Sequence, residues 1–506
     1  MSRAFYVTTP IYYISGEPHI GHAYTTVVAD VLARTARTNG PAYMLTGTDE
    51  HGQKVANAAA AAGMSPLDWC DKLIPRWKSL FAAYHVAYDD FIRTTEPRHE
   101  TKVQRVFERL RERGDIYLGK YEGWYCVADE TFWLESKLVD GRCPTCGREV
   151  QWLSEDDWFF RLSAYRDRLL EFFRANPQWV RPKSVYNEMM AILEEGLEDL
   201  SISRTNFDWG IPVPGGGGVI YVWFDALLNY ITAIDWSEDD ARFNAYWPAS
   251  VQLVGKEIAR FHTIIWPAVL WALELSAPEL VYAHGWITVD GQKIGKSLGN
   301  SVDPFALAEQ FGADSMRYFL LREAPFGSDF SYSQDKIAQR HNSDLGNDLG
   351  NLLHRTLSML AKYRDGVVPQ GLGSASPFAA RFADLADRVR ASILDLRFRE
   401  ALEMVWELVT SLNRAIDERK PWTLFKEEKN AELDELLYDL AEGLRVIAML
   451  LHPFMPERMD EMWKRLGAGG AVGADWSNAA WGGTAAGTQT HSGDPLFPRV
   501  ELAAVT

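Results

Sequence analysis

AFYVTTPIYYISGEPHIGHAYTTVVADVLARTARTNGPAYMLTGTDEHG, residues 4–52, holds two β-like runs with a helical pattern between them. Residues 4–9 are apolar and β-branched, the pattern of a buried strand. A loop rich in Pro, Gly and Tyr follows, from Pro10 to Pro18. A helix opens near His19. Val27, Val28, Val31 and Leu32 recur at helical spacing, and Asn39-Gly40 supplies the stop. Residues 42–46 read as the next strand, leading into Gly47-Thr48-Asp49. A second helix then runs through the alanines 58–62 and ends at Gly63. Strand, helix, strand, helix in this order implies a parallel sheet with right-handed crossovers. Ligands of such sheets sit beyond the C-terminal strand ends.

Outward from that stretch the pattern changes twice. Residues 116–218 hold a cysteine cluster, aromatic and acidic segments and the break Pro214-Gly215-Gly216-Gly217-Gly218, and read as an insertion. Strand-like runs return at 219–223 and 251–254, where the sheet is expected to resume. From Ser333 onward the signal is helical. Leu345, Leu349, Leu352 and Leu353 form one stripe, and Leu433, Leu436, Leu437, Leu440 and Leu444 another. Residues 467–493, rich in Gly and Ala, are expected to be a flexible excursion. The predicted fold class is α/β: a Rossmann-like parallel-sheet domain in two halves, 1–115 and 219–332. An inserted zinc-knuckle domain, 116–218, divides them, and an all-α bundle, 333–506, follows.

The 506 residues are too many for one ordinary domain. Fifty-two Lys and Arg stand against 69 Asp and Glu, a net charge of −17. That excludes a generic nucleic-acid coat but leaves room for a specific RNA site on a local basic patch. No signal-peptide pattern opens the chain and no apolar run is long enough to cross a bilayer. A cytoplasmic protein is expected. Three of the four cysteines, Cys126, Cys143 and Cys146, cluster, which reads as metal binding rather than a disulfide frame. Cys126-x-x-Asp129 and Cys143-Pro144-Thr145-Cys146 form two knuckles whose thiolates and carboxylate can complete a tetrahedral zinc site. The competing reading is a degenerate knuckle held by packing without metal. Cys70 reads as a buried small side chain.

Two short motifs point to a nucleotide. His19-Ile20-Gly21-His22 falls between a strand and a helix N-terminus, which offers backbone N–H groups and a positive dipole end to phosphate. Gly21 lets a nucleotide approach the backbone, and the histidines can donate to phosphate oxygens as charge builds. Lys293-Ile294-Gly295-Lys296-Ser297 follows a tight-turn pattern at 289–292. Its two lysines suit a mobile clamp on a triphosphate. Taken singly, the first motif reads equally as two surface histidines at a helix start, and the second as a basic surface loop.

Together the motifs resemble the class I aminoacyl-tRNA synthetases, whose signatures are H-I-G-H and K-M-S-K-S. Here Ile294 and Gly295 replace Met and Ser, while both lysines and Ser297 remain. The methionyl branch is resembled most, over nearly the whole chain. The matching stretches are 9–13, Thr46-Gly47-Thr48-Asp49-Glu50-His51-Gly52, Tyr221-Val222-Trp223-Phe224-Asp225-Ala226-Leu227, and Gly255-Lys256-Glu257-Ile258 leading to His262 and Trp266. The resemblance implies a methionine side-chain pocket of Ile11, Tyr13, Trp223, Ala226, Leu227, Tyr230, Ile258, His262 and Trp266, with Asp49 on the substrate ammonium. A polarizable thioether packs well against aromatic rings, and Tyr or His donors near sulfur would favour it over an alkyl chain. It implies ATP with Mg²⁺ as substrate, bound by His19, Gly21, His22, Lys293, Lys296 and Ser297; His19, His22, Lys293 and Lys296 would be catalytic. Methionyl enzymes commonly carry Cys where this chain has Asp129, and one structural Zn²⁺ is expected to stiffen an insertion that guides the tRNA acceptor end. Leucyl, isoleucyl and valyl enzymes resemble each other in carrying a much larger insertion with an editing site. About 100 residues are too few for such a domain.

In the bundle, Asn351 and Arg355 lie four apart and share a helix face, and Pro421-Trp422 starts another helical segment. An Asn–Arg pair is by itself usually a solvated face, and a lone Trp usually core. The resemblance implies that Asn351, Arg355 and Trp422 contact the CAU anticodon of tRNA(Met), initiator and elongator alike. Unpaired bases stack on Trp, and Asn and Arg bond base edges. A monomer is expected, since the chain ends soon after the bundle. Two other readings stay open: a small nucleotidyltransferase sharing the H-x-G-H signature, and a non-catalytic tRNA-binding relative. Chain length, the lysine motif and the bundle speak against the first, and the intact histidines and lysines against the second.

Overall fold

The computed structural model describes residues 3–129, 131–237, 239–289, 292–293 and 302–501. The chain forms two compact units. One comprises Met1–Pro18, Tyr43–Ser79 and Tyr88–His284; the other comprises His19–Ala42, Leu80–Ala87 and Gly285–Thr506.

The first unit is built on a seven-stranded sheet. The strand Phe5–Thr8 lies between Ala42–Asp49 and Val251–Gly255; beyond the latter come Val281–His284 and Val180–Arg181. Asp90–Arg93 and Tyr12–Tyr13 flank the Ala42–Asp49 strand. The pairings run parallel, with Val7 opposite Val251, Val254 opposite Ala283 and Thr46 opposite Phe91. Val251–Gly255 and Val281–His284 are buried throughout, as strands covered on both faces must be. Gly47 is required by its neighbour: a Cβ there would stand 2.0 Å from the carbonyl oxygen of Ile92 on the adjacent strand.

A second, antiparallel sheet orders Thr131–Trp133, Ile116–Cys126, Gln151–Phe160 and Leu200–Ser201. Its long hairpin pairs Ile116 with Phe160. The run 219–223 departs from expectation. Only Val219–Ile220 is extended, and it pairs antiparallel with Ser203–Arg204 rather than rejoining the main sheet. Val222–Leu227 is helical. A short, fully apolar run fits a buried helix as well as a buried strand, so periodicity alone misassigns it. The parallel sheet takes Val180–Arg181 from within 116–218, so that stretch is not wholly an insertion, and its next strand in the chain is Val251–Gly255.

In the second unit the helix Ile20–Arg37 is joined to later helices by a buried ion pair. Arg317 on Ala313–Arg322 donates to Asp30 at 2.6 Å and also to the carbonyl oxygens of Tyr84, Pro453 and Phe454. Both charged groups are fully buried, so removing either partner would cost about 3–5 kcal/mol. Ile287–Val289 pairs antiparallel with Gln292–Lys293 and parallel with Phe330–Ser331. From Gln334 to Arg465 the chain is mainly helical. Gln334–Arg340 runs through a wider-wound segment, His341–Gly350, into Asn351–Arg364; Phe398–Arg419, Asn430–Leu451 and Pro456–Arg465 follow. Both leucine stripes are buried. Residues 467–493 are no free excursion. Glu442, inside the bundle, accepts from the N–H groups of Gly482, Gly483 and Thr484, and Trp476 is buried. Small residues there let the backbone itself close on a carboxylate, which composition alone reads as looseness.

Among the described residues no helix is long and apolar enough to cross a membrane.

Candidate functional site

The pocket residues expected from the sequence lie in the first unit, at strand ends and the helical turns that follow them. Tyr12–Tyr13 pairs with the end of Ala42–Asp49, and Tyr13 is the direct partner of Asp49. Asp49 is buried. Val222–Leu227 carries Trp223, Ala226 and Leu227, and the next turn, Asn229–Thr232, carries Tyr230. Ile258 ends a 3₁₀ turn after Val251–Gly255; His262 lies in a π-type turn, Phe261–Ile265; Trp266 opens Trp266–Ala272.

The rings meet. Trp223 stands edge-on to Tyr13 at 6.3 Å and to His262 at 6.4 Å. Tyr230 lies 5.7 Å from His262 and 5.9 Å from Trp266. Ile11, Tyr13, Trp223 and Ile258 are partly buried against the core, while Ala226, Leu227, Tyr230, His262 and Trp266 are buried. Sequence reasoning missed Phe261, which stacks face to face on Trp223 with centroids 3.8 Å apart. The π-type turn brings it there, and no residue pattern announces such a turn. Gln252 was also missed; its Oε1 accepts from the Trp266 indole at 3.1 Å and fixes that ring.

His262 sets the polarity of the pocket floor. Its Nδ1 is 3.0 Å from the carbonyl oxygen of Ile258, which only accepts, so Nδ1 carries the hydrogen. Nε2, 2.7 Å from the Tyr230 hydroxyl, therefore accepts from it. The Tyr230 hydrogen is thereby used within the protein. Selection of a thioether then rests on ring surfaces more than on the donor the sequence suggested.

Burial pushes the His262 imidazole down to about 4 from an ordinary 6.5. The folded chain keeps it neutral while the unfolded chain protonates it, so this contribution to stability is present above about 6.5 and lost as pH falls toward 4. Between pH 7 and pH 5 the parent is expected to lose about 2 kcal/mol more stability than His262→Gln. Thermal unfolding at the two pH values measures the difference, and equal losses would contradict a buried neutral imidazole.

In the second unit, His19 caps the helix Ile20–Arg37. Its Nδ1 accepts from the Gly21 N–H at 3.1 Å, and the His22 Nδ1 accepts from the His19 N–H at 3.0 Å. The two rings stack at 3.8 Å. Each Nδ1 being an acceptor, each neutral ring carries its hydrogen on Nε2, a donor suited to phosphate oxygen. Gly21 serves this cap directly, since a Cβ would come within 2.9 Å of the His19 ring. Lys293 lies on the strand Gln292–Lys293, opposite Thr288. Ile294, Gly295, Lys296 and Ser297 lie outside the described residues.

The knuckle residues converge. Cys126 Sγ is 3.5 Å from Cys146 Sγ and 3.6 Å from Asp129 Oδ2, and Cys143 Sγ is 3.0 Å from the same oxygen. All four donor atoms lie within 4.8 Å of one another. Two thiolates on one tetrahedral zinc stand about 3.8 Å apart, so three sulfurs and a carboxylate at this spacing fit the ion. Cys70 is buried on Pro66–Ala83.

On the bundle, Asn351 is exposed and Arg355 half-buried on the same helix. Arg355 donates to Asp417 at 2.8 Å, close to the end of Phe398–Arg419. Trp422, on Pro421–Lys426, is 50% exposed, unusual for so large an apolar ring.

A parallel sheet with an imidazole-capped helix start and a helical bundle later in the chain is the plan of a class I aminoacyl-tRNA synthetase. The profile of tRNA synthetases class I (M) matches residues 5–154 and 148–357, and that of the anticodon-binding domain of tRNA ligase matches 378–488. A methionine–tRNA ligase of Caldanaerobacter subterraneus is 49% identical, over 99% of this chain and 80% of its own length. One of Thermotoga maritima is 44% identical over 98% and 80%. The solved Mycobacterium tuberculosis methionyl-tRNA synthetase in complex with methionyl-adenylate superposes with a TM-score of 0.93 at 41% identity, covering 98% of this chain and 100% of that one. The chain belongs to the methionine–tRNA ligase family.

Proposed function

We propose that this chain activates methionine with ATP and loads it onto the 3′ end of tRNA(Met) in protein synthesis. The observation that carries the reading is the pairing of Tyr13 with Asp49 beside an aromatic pocket, in a chain of this family. The methionine carboxylate attacks the α-phosphorus of ATP. The bond to the β-phosphate breaks, leaving methionyl-adenylate and pyrophosphate. The terminal adenosine hydroxyl of tRNA then attacks the activated carbonyl, and AMP leaves with the bonding pair. No bond to the protein is needed, because alignment and charge stabilisation supply the rate.

Asp49 holds the ammonium, and Ile11, Tyr13, Trp223, Ala226, Leu227, Tyr230, Ile258, His262 and Trp266 enclose the thioether chain. His19 and His22 donate to phosphate through Nε2, Gly21 keeps that cap in place, and Lys293, Lys296 and Ser297 follow the triphosphate, which enters as its Mg²⁺ complex. Asn351, Arg355 and Trp422 read the anticodon, so initiator and elongator tRNA are both substrates. The enzyme acts as a monomer in the cytoplasm. The stretch 116–218, apart from the Val180–Arg181 strand that it lends to the main sheet, works as an insertion between catalytic segments 1–115 and 219–332, and 333–506 bind the anticodon. Methionine-dependent pyrophosphate exchange tests the reading: exchange with methionine and background with leucine are expected, and the reverse would overturn it.

Cys126, Asp129, Cys143 and Cys146 hold one structural zinc, which cross-links the insertion and takes no part in the chemistry. Metal analysis is expected to find one zinc per chain. Cys143→Ser should release it and lower tRNA charging by about 10-fold while leaving pyrophosphate exchange nearly intact. A metal-free parent that charges tRNA normally would rule this out.

A further inference from the structure

His51 and Asp225 both fall in stretches that mark the family, yet neither has a role above. They are bonded to each other across 174 positions, with His51 Nδ1 2.7 Å from Asp225 Oδ2. The other carboxylate oxygen of Asp225 lies 2.6 Å from His99 Nε2, and His99 Nδ1 lies 2.7 Å from the Thr232 hydroxyl. His51, His99, Asp225 and Thr232 are all at least 98% buried. Glu100 stands 3.7 Å from His51 Nε2, and Lys102 donates to the Thr232 carbonyl oxygen and to Asp235.

Three of the four members sit within two residues of a wall of the pocket, and His99 joins them from the helix Pro97–Glu112. His51 follows Asp49; Asp225 lies between Trp223 and Leu227; Thr232 follows Tyr230. The chain therefore carries one buried carboxylate gripped by two imidazoles where three separate segments must be held in register. We propose that Asp225, through His51 and His99, is the positioning residue that sets the ammonium-binding Asp49 against the side-chain wall of the pocket. Burial raises the Asp225 carboxyl, but the attraction and hydrogen bond of His51 outweigh it and hold the group below its ordinary range. Burial lowers His51, and Asp225 outweighs that in turn. Each shifts the other toward its charged form.

This inference rests on the methionine-pocket reading, so the experiment separates the two. Pyrophosphate exchange is measured over methionine and ATP concentrations for Asp225→Asn, His51→Ala and His51→Asn, with Asp49→Asn alongside. Asp225→Asn and His51→Ala are expected to raise the KM for methionine by about 10-fold or more, the loss of a charged hydrogen bond, with the KM for ATP within twofold. His51→Asn keeps a donor where Nδ1 stood and is expected to restore most of the affinity. A purely structural role would instead lower the melting temperature and move both KM values together, or neither, and that result would overturn the proposal. Should Asp225→Asn not fold, the contrast between His51→Asn and His51→Ala decides. If Asp49→Asn itself leaves the methionine KM unchanged, the pocket assignment has failed, and this inference with it.

Discussion

Asp49→Asn is expected to cut kcat/KM for methionine in pyrophosphate exchange by roughly 10² to 10³ while sparing the KM for ATP. The substitution keeps the shape of a buried side chain and removes its charge. An ammonium brought to that strand end then has no counter-charge, and leaving a buried charge unpaired costs about 3–5 kcal/mol. The neighbouring carboxylate cannot stand in. Glu50 is committed to Arg93 at 2.7 and 2.9 Å and to the hydroxyls of Thr48 and Thr95 at 2.7 and 2.6 Å. Turning it toward substrate would leave Arg93 with Asp71 alone and strand the buried hydroxyl of Thr48. A variant within threefold of the parent would mean that another group holds the ammonium.

What the sequence discloses, it discloses through short-range pattern. The alternation of strand and helix over residues 4–63 is local, and the structure reproduces it as Phe5–Thr8, Ile20–Arg37, Ala42–Asp49 and Gln53–Ala61. The knuckle was legible for the same reason, since ligand spacing within each turn is a local quantity. Long-range partnership was not legible. Nothing in the surroundings of Asp30 and Arg317 indicates that they meet across 287 positions, because a charged residue on a helix is ordinarily solvated. The same blindness hides the bond between His51 and Asp225, although both lie in stretches that carry the family resemblance. Where backbone departs from regular geometry the pattern failed outright. The π-type turn at Phe261–Ile265 places Phe261 over Trp223, and the strand expected over 219–223 stops at Ile220, where the helix Val222–Leu227 takes over. Those departures cluster around the pocket, which is where local preference is expected to yield to function.

Lys296→Ala is the second substitution with a large expected effect, and it separates binding from chemistry. Pyrophosphate leaves as the α-phosphorus is attacked, so negative charge on the triphosphate redistributes in the transition state. A mobile ammonium that follows it stabilises that state more than the ground state. Removing one such charge is expected to slow methionyl-adenylate formation by about 10² to 10³ in kcat, the range for loss of one preorganised donor. Equilibrium methionine binding, which depends on the aromatic pocket and Asp49, should stay within twofold. Transfer from preformed methionyl-adenylate to tRNA should also be spared, since pyrophosphate has already gone. Lys296→Arg is not a neutral control, because a planar fork replaces a compact, freely turning ammonium. The arginine variant is therefore expected to fall between alanine and parent. An alanine variant that forms adenylate at the parent's rate would remove Lys296 from the reaction and leave Lys293 as the remaining lysine of the loop able to meet the leaving group.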